Sequence, residues 1–123
     1  MCTISFAIPY PPQKQRSAFF RRYGLNAYYT GKHWAQRKKD AEELHELTML
    51  AMKKARIKKE PLQFPVKLVF RFNDRLDCSN HAILVKIIED AMKGWIIKDD
   101  SRRYVKSITA EFYNGDSIEV SIT

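Results

Sequence analysis

The sequence predicts an α+β fold, in which two main helices pack on a mixed sheet of about four strands. Apolar residues alternate with polar ones in several short segments, which is typical of strands with one buried face. In two longer segments they recur at helical spacing. The 123 residues, 45% of them hydrophobic, suffice for one core but not for two. We therefore predict a single domain, residues 1–123, with the order β-α-β-α-β-β.

The first predicted strand covers residues 3–8, where Ile4, Phe6 and Ile8 alternate with smaller and polar residues. The run Pro9-Tyr10-Pro11-Pro12 ends it, because proline cannot donate a hydrogen bond to a neighbouring strand. Residues 13–32 are then predicted to form a long connection in which cations and aromatic residues are interleaved. The cations are Lys14, Arg16, Arg21, Arg22 and Lys32, and the aromatic residues are Phe19, Phe20, Tyr23, Tyr28 and Tyr29.

Two interpretations of this connection stay open. Basic side chains beside aromatic rings suit phosphate contacts and base stacking in nucleic-acid binding. Alternatively, the aromatic rings close the core and the cations are only solvated.

The longest predicted helix covers residues 33–58. One set of mostly apolar residues recurs at helical spacing, namely Trp34, Ala41, Leu44, Thr48, Ala51 and Ala55. Basic residues concentrate at its end, where they complement the helix dipole whether or not they also bind DNA. Pro61 and Pro65 bracket a turn into a strand at 66–72.

The last part of the chain predicts one helix and two strands. The helix covers roughly residues 80–93 and is stopped by Gly94. Strands are predicted at 104–113 and 117–122, and Asn114-Gly115 between them predicts a β-hairpin.

The net charge of +8 is unevenly distributed. Residues 1–60 contain 13 Lys and Arg against 5 Asp and Glu, whereas residues 61–123 contain 9 of each. This separation favours a nucleic-acid enzyme whose basic surface docks the DNA backbone beside an acidic metal site. The alternative is that the lysine-rich helix faces are merely solvated.

Several classes are disfavoured by composition. No apolar run reaches the roughly 18 residues of a membrane span. The N-terminus lacks the pattern of a secretory signal, so we expect a cytoplasmic protein. Cys2 and Cys78 have no metal-ligand spacing and are expected to be reduced and incidental.

The acidic segment 74–100 is the principal candidate site. Taken singly, Asp77, Ser79 and Asn80 suit helix capping, and Asp99-Asp100 suits a turn. Taken together, acids that end a strand and acids that follow a helix can share a pocket, and their mutual repulsion is relieved by Mg²⁺. Lys86 either pairs with Asp90 four residues later or points to a phosphate.

At this segment the chain resembles the RusA-type Holliday-junction resolvases, many of them encoded by phages and prophages. The family pattern is Asp-x-Asp-Asn, a lysine on the following helix, Asp-Ala-Leu and an Asp-Asp pair. The matching residues are Asp77-Cys78-Ser79-Asn80, Lys86, Asp90-Ala91-Met92 and Asp99-Asp100. Residues 8–12 and 117–123 are similar to the family's proline motif and last strand.

The resemblance implies a homodimeric, Mg²⁺-dependent endonuclease that makes paired symmetric nicks in four-way DNA junctions during recombination and repair, with Mn²⁺ as a substitute ion. Such a protein works in the cytoplasm of a bacterial or phage-infected cell. By position, Asp77 and Asp100 are expected metal ligands, Lys86 the catalytic lysine, and Asn80 and Asp90 motif residues. The expected DNA-binding residues are Lys14, Arg16, Arg21, Arg22, Lys32, Arg71 and Arg75.

The chain departs from the family pattern at two points. Ser79 replaces an aspartate, and a hydroxyl is a poorer Mg²⁺ ligand than a carboxylate, so metal binding is weaker or Asp74 or Asp99 takes its place. The spacing from Asn80 to Lys86 is three residues longer than in the pattern. The competing hypotheses are therefore a DNA-binding protein that no longer cuts, and a small phage-type protein whose basic face binds an acidic protein.

Overall fold

The structure, a computed structural model, describes residues 3–25, 31 and 33–123. Within them, three α-helices and four strands follow the order β1, α1, α2, β2, α3, β3, β4. The bounds are Ile4–Pro9 (β1), Gln13–Tyr23 (α1), Trp34–Lys54 (α2), Val66–Phe72 (β2), Ala82–Met92 (α3), Val105–Phe112 (β3) and Ser117–Ile122 (β4). A 3₁₀ turn, Cys78–His81, leads into α3. The predicted α+β class with a mixed four-stranded sheet is confirmed.

The strands lie in the order β1-β4-β2-β3, and this order overturns the predicted hairpin. β4 pairs antiparallel with both β1 and β2, while β3 pairs parallel with the other side of β2. Burial explains the arrangement. Ile118, Val120 and Ile122 of β4 are buried, as expected of a central strand, whereas most of β3 is exposed and suits a sheet edge. The Asn114-Gly115 segment is a turn, but it does not join neighbouring strands.

The helices cover one face of the sheet. Leu68, Phe70 and Phe72 of β2 are fully buried on that face. On the opposite face, Arg71 donates to Glu119 at 2.9 Å and to Ser121 at 3.0 Å. The alternation therefore separates an apolar core from a polar open face.

Helix α1 corrects the prediction of a long irregular connection for residues 13–32. Phe19 and Tyr23 are one helical turn apart, and both are buried in the core. The Tyr23 hydroxyl donates to the backbone oxygen of Asp40 at 2.7 Å. These two aromatic residues close the core, as the second interpretation expected. Tyr28, Tyr29 and Lys32 of the predicted connection, together with Cys2, lie outside the described residues.

The predicted helix bounds need smaller corrections. α2 ends at Lys54 instead of residue 58, and Arg56 beyond it has a left-handed φ of 58°. Trp34, assigned to its apolar face, is 70% exposed. The predicted stop of α3 at Gly94 is confirmed, since this residue has a φ of 76°, which glycine adopts readily. Within the described residues, no helix is long and apolar enough to span a membrane.

Candidate active site

Helix α3 presents a charged face beside its buried one. Its apolar residues Ile83, Leu84, Ile87 and Ile88 pack into the core. Lys86, Asp90 and Lys93 follow at spacings of four and three residues, which places them along one side of the helix and its C-terminal end. The amphipathic sequence therefore fixes which way these three groups point.

Asp100 comes from the turn after α3 and completes a cluster of four charges with this face, the Lys86–Asp100 cluster (Lys86, Asp90, Lys93, Asp100). Lys86 Nζ lies 2.8 Å from Asp100 and 3.3 Å from Asp90. Lys93 Nζ lies 2.9 Å from Asp90 and 3.2 Å from Asp100. Each carboxylate therefore contacts both ammonium groups. The predicted Lys86–Asp90 pair is one side of this larger cluster.

The mutual contacts favour the charged forms of the two lysines and of Asp100. Hydrogen bonds from Lys86 and then Lys93 lower the pKa of Asp100 to about 2. The pKa of Lys86 is raised, chiefly by its bond to Asp100, and that of Lys93, chiefly by its bond to Asp90. Lys86, Lys93 and Asp100 are thus held in their charged forms near neutral pH.

Two neighbouring acids differ from Asp100. The backbone N–H of Ser101 donates to Asp99 at 2.8 Å, so Asp99 forms the turn expected from its sequence. Hydrogen bonds from Ser101 also lower the pKa of Asp99. Glu89 is 5% exposed on α3, and its burial raises its pKa. Glu89 is a buried acid beside the cluster that was absent from the predicted site.

The loop between β2 and α3 carries the other half of the predicted site. Asp77 and Ser79 are exposed, and Asp77 precedes the 3₁₀ turn without capping it through its side chain. Asn80 Oδ1 instead accepts a 2.6 Å hydrogen bond from the backbone N–H of Leu25, after α1. Asn80 therefore ties this loop to the end of α1, and the capping interpretation does not account for Asp77.

Asp74 is engaged inside the protein. Its carboxylate accepts from the Tyr10 hydroxyl at 3.2 Å and from the backbone N–H of Leu76 at 2.9 Å. His81 Nε2 lies 2.8 and 2.9 Å from its two oxygens. Burial, the largest influence, raises the pKa of Tyr10. Asp74 thus holds together the ends of β1 and β2 and the start of α3.

A cleft of about 780 Å³ opens between α1 and the same loop. Arg16 and Arg21 line it from α1, and Arg75 lines it from the loop, together with Phe20 and Asn80. Arg16 Nε donates to the backbone oxygen of Pro11 at 3.0 Å, which holds that side chain against the helix start. Three of the predicted DNA-binding arginines therefore converge on one concave surface beside the acidic loop.

The other predicted DNA-binding residues lie elsewhere. Lys14 is exposed on α1 but does not line the cleft. Arg22 forms a 3.1 Å ion pair with Glu43 on α2, and Arg71 is on the open face of the sheet. Lys32 is outside the described residues. Their roles in DNA binding stay predictions.

The family model described as endodeoxyribonuclease RusA matches residues 9–123. The chain belongs to the RusA family. This confirms the predicted resemblance over nearly the whole sequence. No curated protein sequence gives a significant match.

The two metal ligands expected from the RusA resemblance, Asp77 and Asp100, lie in different surroundings. Among the described residues, no group of three or more His, Cys, Asp and Glu side chains is arranged to hold a metal ion. Asp77 presents an exposed carboxylate, whereas the Asp100 carboxylate faces two ammonium groups. The donor chemistry suits Mg²⁺, because both are carboxylates. Asp77, Asp100 and the substitutes Asp74 and Asp99 therefore stay predictions as ligands.

Sequence reasoning did not single out three residues that lie at this candidate site. Lys93 follows Lys86 by seven residues, and this spacing was a usable signal for a second lysine on the same face. Glu89 gave no such signal, because an acid next to Asp90 on a helix is also typical of exposed residues that form ordinary ion pairs. His81 adjoins the motif residue Asn80, but only the fold shows that it meets Asp74.

Proposed function

We propose that this RusA-family protein is a Mg²⁺-dependent, structure-selective endodeoxyribonuclease that resolves four-way DNA junctions by paired symmetric nicks. The observation that carries the proposal is the family match over residues 9–123. Support comes from the motif residues Lys86 and Asp100, which are in contact although fourteen residues apart. The proposed reaction is hydrolysis of a phosphodiester bond in each of two opposed strands.

The proposed division of labour follows from the chemistry of the side chains. Asp77 and Asp100 would hold Mg²⁺ or Mn²⁺, which when bound polarises a phosphodiester and lowers the pKa of water. Lys86 supplies a fixed positive charge for the negative charge that develops on the phosphate oxygens. Asp90 contacts Lys86 at 3.3 Å and keeps its ammonium group beside the site.

The arginine cleft gives the proposed path of the DNA backbone. Arginine forms two parallel hydrogen bonds with a phosphate group, and Arg16, Arg21 and Arg75 line the same cleft. The cleft also borders Asn80, three residues from Asp77. A DNA strand bound there would pass beside the loop that carries Asp77. Its negative charge would face the excess positive charge of residues 1–60.

We further propose that the protein acts as a homodimer in the cytoplasm. A four-way junction with two-fold symmetry requires two equivalent cuts, and a symmetric dimer presents two equivalent sites. Sedimentation of the protein, alone and with junction DNA, would test this. A protein that remains monomeric on the junction would contradict paired cutting by one complex.

The function is tested with a labelled four-way junction incubated with Mg²⁺ or with EDTA. We expect two symmetric nicks with Mg²⁺ and none with EDTA. Asp77→Asn should abolish nicking and leave junction binding intact. Asp116→Asn is the matched control, because Asp116 is an exposed aspartate in the β3–β4 turn and should cut normally. Nicking by Asp77→Asn at the wild-type rate would remove Asp77 from the mechanism.

A second candidate function is branched-DNA binding without cleavage. It is favoured by Ser79, which places a hydroxyl where the family pattern has a carboxylate, and a hydroxyl binds Mg²⁺ poorly. This candidate predicts salt-sensitive junction binding with no nicks in Mg²⁺ or Mn²⁺. Ser79→Asp distinguishes the two, since gain of nicking would show that only this ligand had been lost.

A further inference from the structure

The loop that carries Asp77 is closed at its base by a buried pair of side chains. Asp74 follows β2 and His81 precedes α3, and the side chains of both are 0% exposed. His81 Nε2 lies 2.8 Å from Asp74 Oδ1. The His81 ring also stacks on Phe72, with 3.9 Å between ring centroids and 19° between ring planes. The stacking on Phe72 therefore restrains the face of the imidazole, and the contact with Asp74 restrains its edge.

Both nitrogens of His81 face hydrogen-bond acceptors. Nδ1 lies 2.9 Å from the backbone oxygen of Cys78, which only accepts. Nε2 faces Asp74, whose carboxylate also accepts from Tyr10 and from the N–H of Leu76. His81 therefore links the Cys78 carbonyl to the carboxylate that also anchors Tyr10 and Leu76.

We propose that His81 is a positioning residue that holds Asp77 in place through the Asp74–His81 clasp, an inference that rests on the proposed nuclease function. Asp77 lies three residues after Asp74 and four before His81. No hydrogen bond from the described residues reaches its side chain, so the loop backbone alone sets its position. The clasp fixes that backbone at both ends, and the bond from His81 to Cys78 fixes it next to Asp77.

His81 acts through the loop and not on the DNA. It is 0% exposed, and the Phe72 and Phe112 rings flank its own ring. The substrate therefore cannot reach the imidazole. A displacement of about 1 Å in a catalytic group can cost roughly a hundredfold in rate. Loss of the clasp should thus lower kcat much more than junction affinity, because Arg75 is the only one of the three cleft arginines that lies in this loop.

The test compares His81→Leu, which has similar bulk and no donor, with His81→Gln, which keeps one donor. Val120→Ala, a core change in β4, controls for lost stability because Val120 is fully buried in another part of the molecule. We expect His81→Leu to lower kcat for nicking about a hundredfold with a Kd for junction DNA within threefold of wild type. The kcat of His81→Gln should be at least tenfold higher than that of His81→Leu. Val120→Ala should keep its kcat at temperatures where it is folded.

A second measurement tests the clasp independently of activity. Hydrogen exchange of the backbone amides of residues 75–80 should rise at least tenfold in His81→Leu and stay unchanged in Val120→Ala. If wild-type protein never nicks DNA, the nuclease proposal fails, and unchanged exchange in His81→Leu would then overturn the clasp as well. If wild type nicks and His81→Leu nicks equally well, the positioning role is overturned while the nuclease function stands.

Discussion

The ammonium group of Lys86 lies 2.8 Å from a carboxylate oxygen of Asp100, fourteen residues further along the chain. The contact forms because the chain reverses at Gly94 and buries Trp95, Ile96 and Ile97 against the core. The following turn then returns Asp100 to the side of α3. A proposed metal ligand and a proposed catalytic lysine therefore neutralise each other in this arrangement. An ion that bound at Asp100, as proposed above, would compete with both ammonium groups for this carboxylate.

The two lysines of the cluster should not be equivalent in catalysis. Lys86→Met should lower kcat for junction nicking by about 10²–10³-fold, because it removes the charge that stabilises the transition state. Lys93→Met is the matched variant, and we expect a loss below tenfold, since Lys93 only helps to hold Asp90 and Asp100. Single-turnover nicking with saturating protein measures both. A larger loss for Lys93→Met would assign it the catalytic role.

Neither lysine variant should unfold the protein. The Lys86 side chain is 56% exposed, and exposed ion pairs contribute about 0–1 kcal/mol after solvent screening. The free energy of unfolding, measured in urea, should therefore change by less than about 1 kcal/mol. A greater change would mean that the kinetic loss reflects folding.

Asp100 should titrate at unusually low pH. Its pKa falls from the ordinary 3.8 to about 2 because Lys86 and Lys93 bind the ionised form. Folding is therefore favoured by this group above pH 3.8, and the contribution disappears as the pH falls towards 2. Carboxyl chemical shifts measured by NMR should give a midpoint near 2 in wild type and a higher one in Lys86→Met. A midpoint near 3.8 in wild type would contradict the two contacts.

The arginine cleft should control affinity for the DNA backbone. Arg75→Gln and Arg16→Gln should each weaken junction binding and reduce the slope of log K against log salt by about 1. Arg103→Gln is the control, because Arg103 is exposed, lies outside this cleft and is not among the expected DNA-binding residues. Binding titrations in EDTA at several salt concentrations separate affinity from cutting. Equal slopes for all three variants would remove the cleft from the DNA path.

The central strand β2 should dominate stability. Leu68→Ala should lower the free energy of unfolding by about 2–5 kcal/mol, because Leu68 is fully buried under the helices and leaves a cavity. Leu50→Ala on α2 provides the comparison, since Leu50 is 53% exposed and should cost less than about 1 kcal/mol. Urea denaturation followed by circular dichroism measures both. Similar losses would contradict the burial of β2.

Local sequence patterns were sufficient to predict most helices and strands, but not to predict which strands pair. The alternation at Phe6 and Ile8 located β1, and the proline run after it placed the strand end. Asn114-Gly115 correctly marked a turn but wrongly implied that β3 and β4 pair. Turn chemistry acts over a few residues, whereas strand order depends on which strand has the most apolar surface to bury. α1 was missed because its basic residues obscured the helical spacing of Phe19 and Tyr23.

By itself the sequence determined the α+β class, the RusA-type resemblance, and the candidate residues Asp77, Lys86 and Asp100. Spacing along a helix also predicted the Lys86–Asp90 pair, because contacts within one helix follow from its geometry. Only the tertiary structure brought Asp100 to Lys86, gathered the arginines around one cleft, and buried His81 against Asp74. These contacts join separate elements, and their positions depend on how the whole core packs.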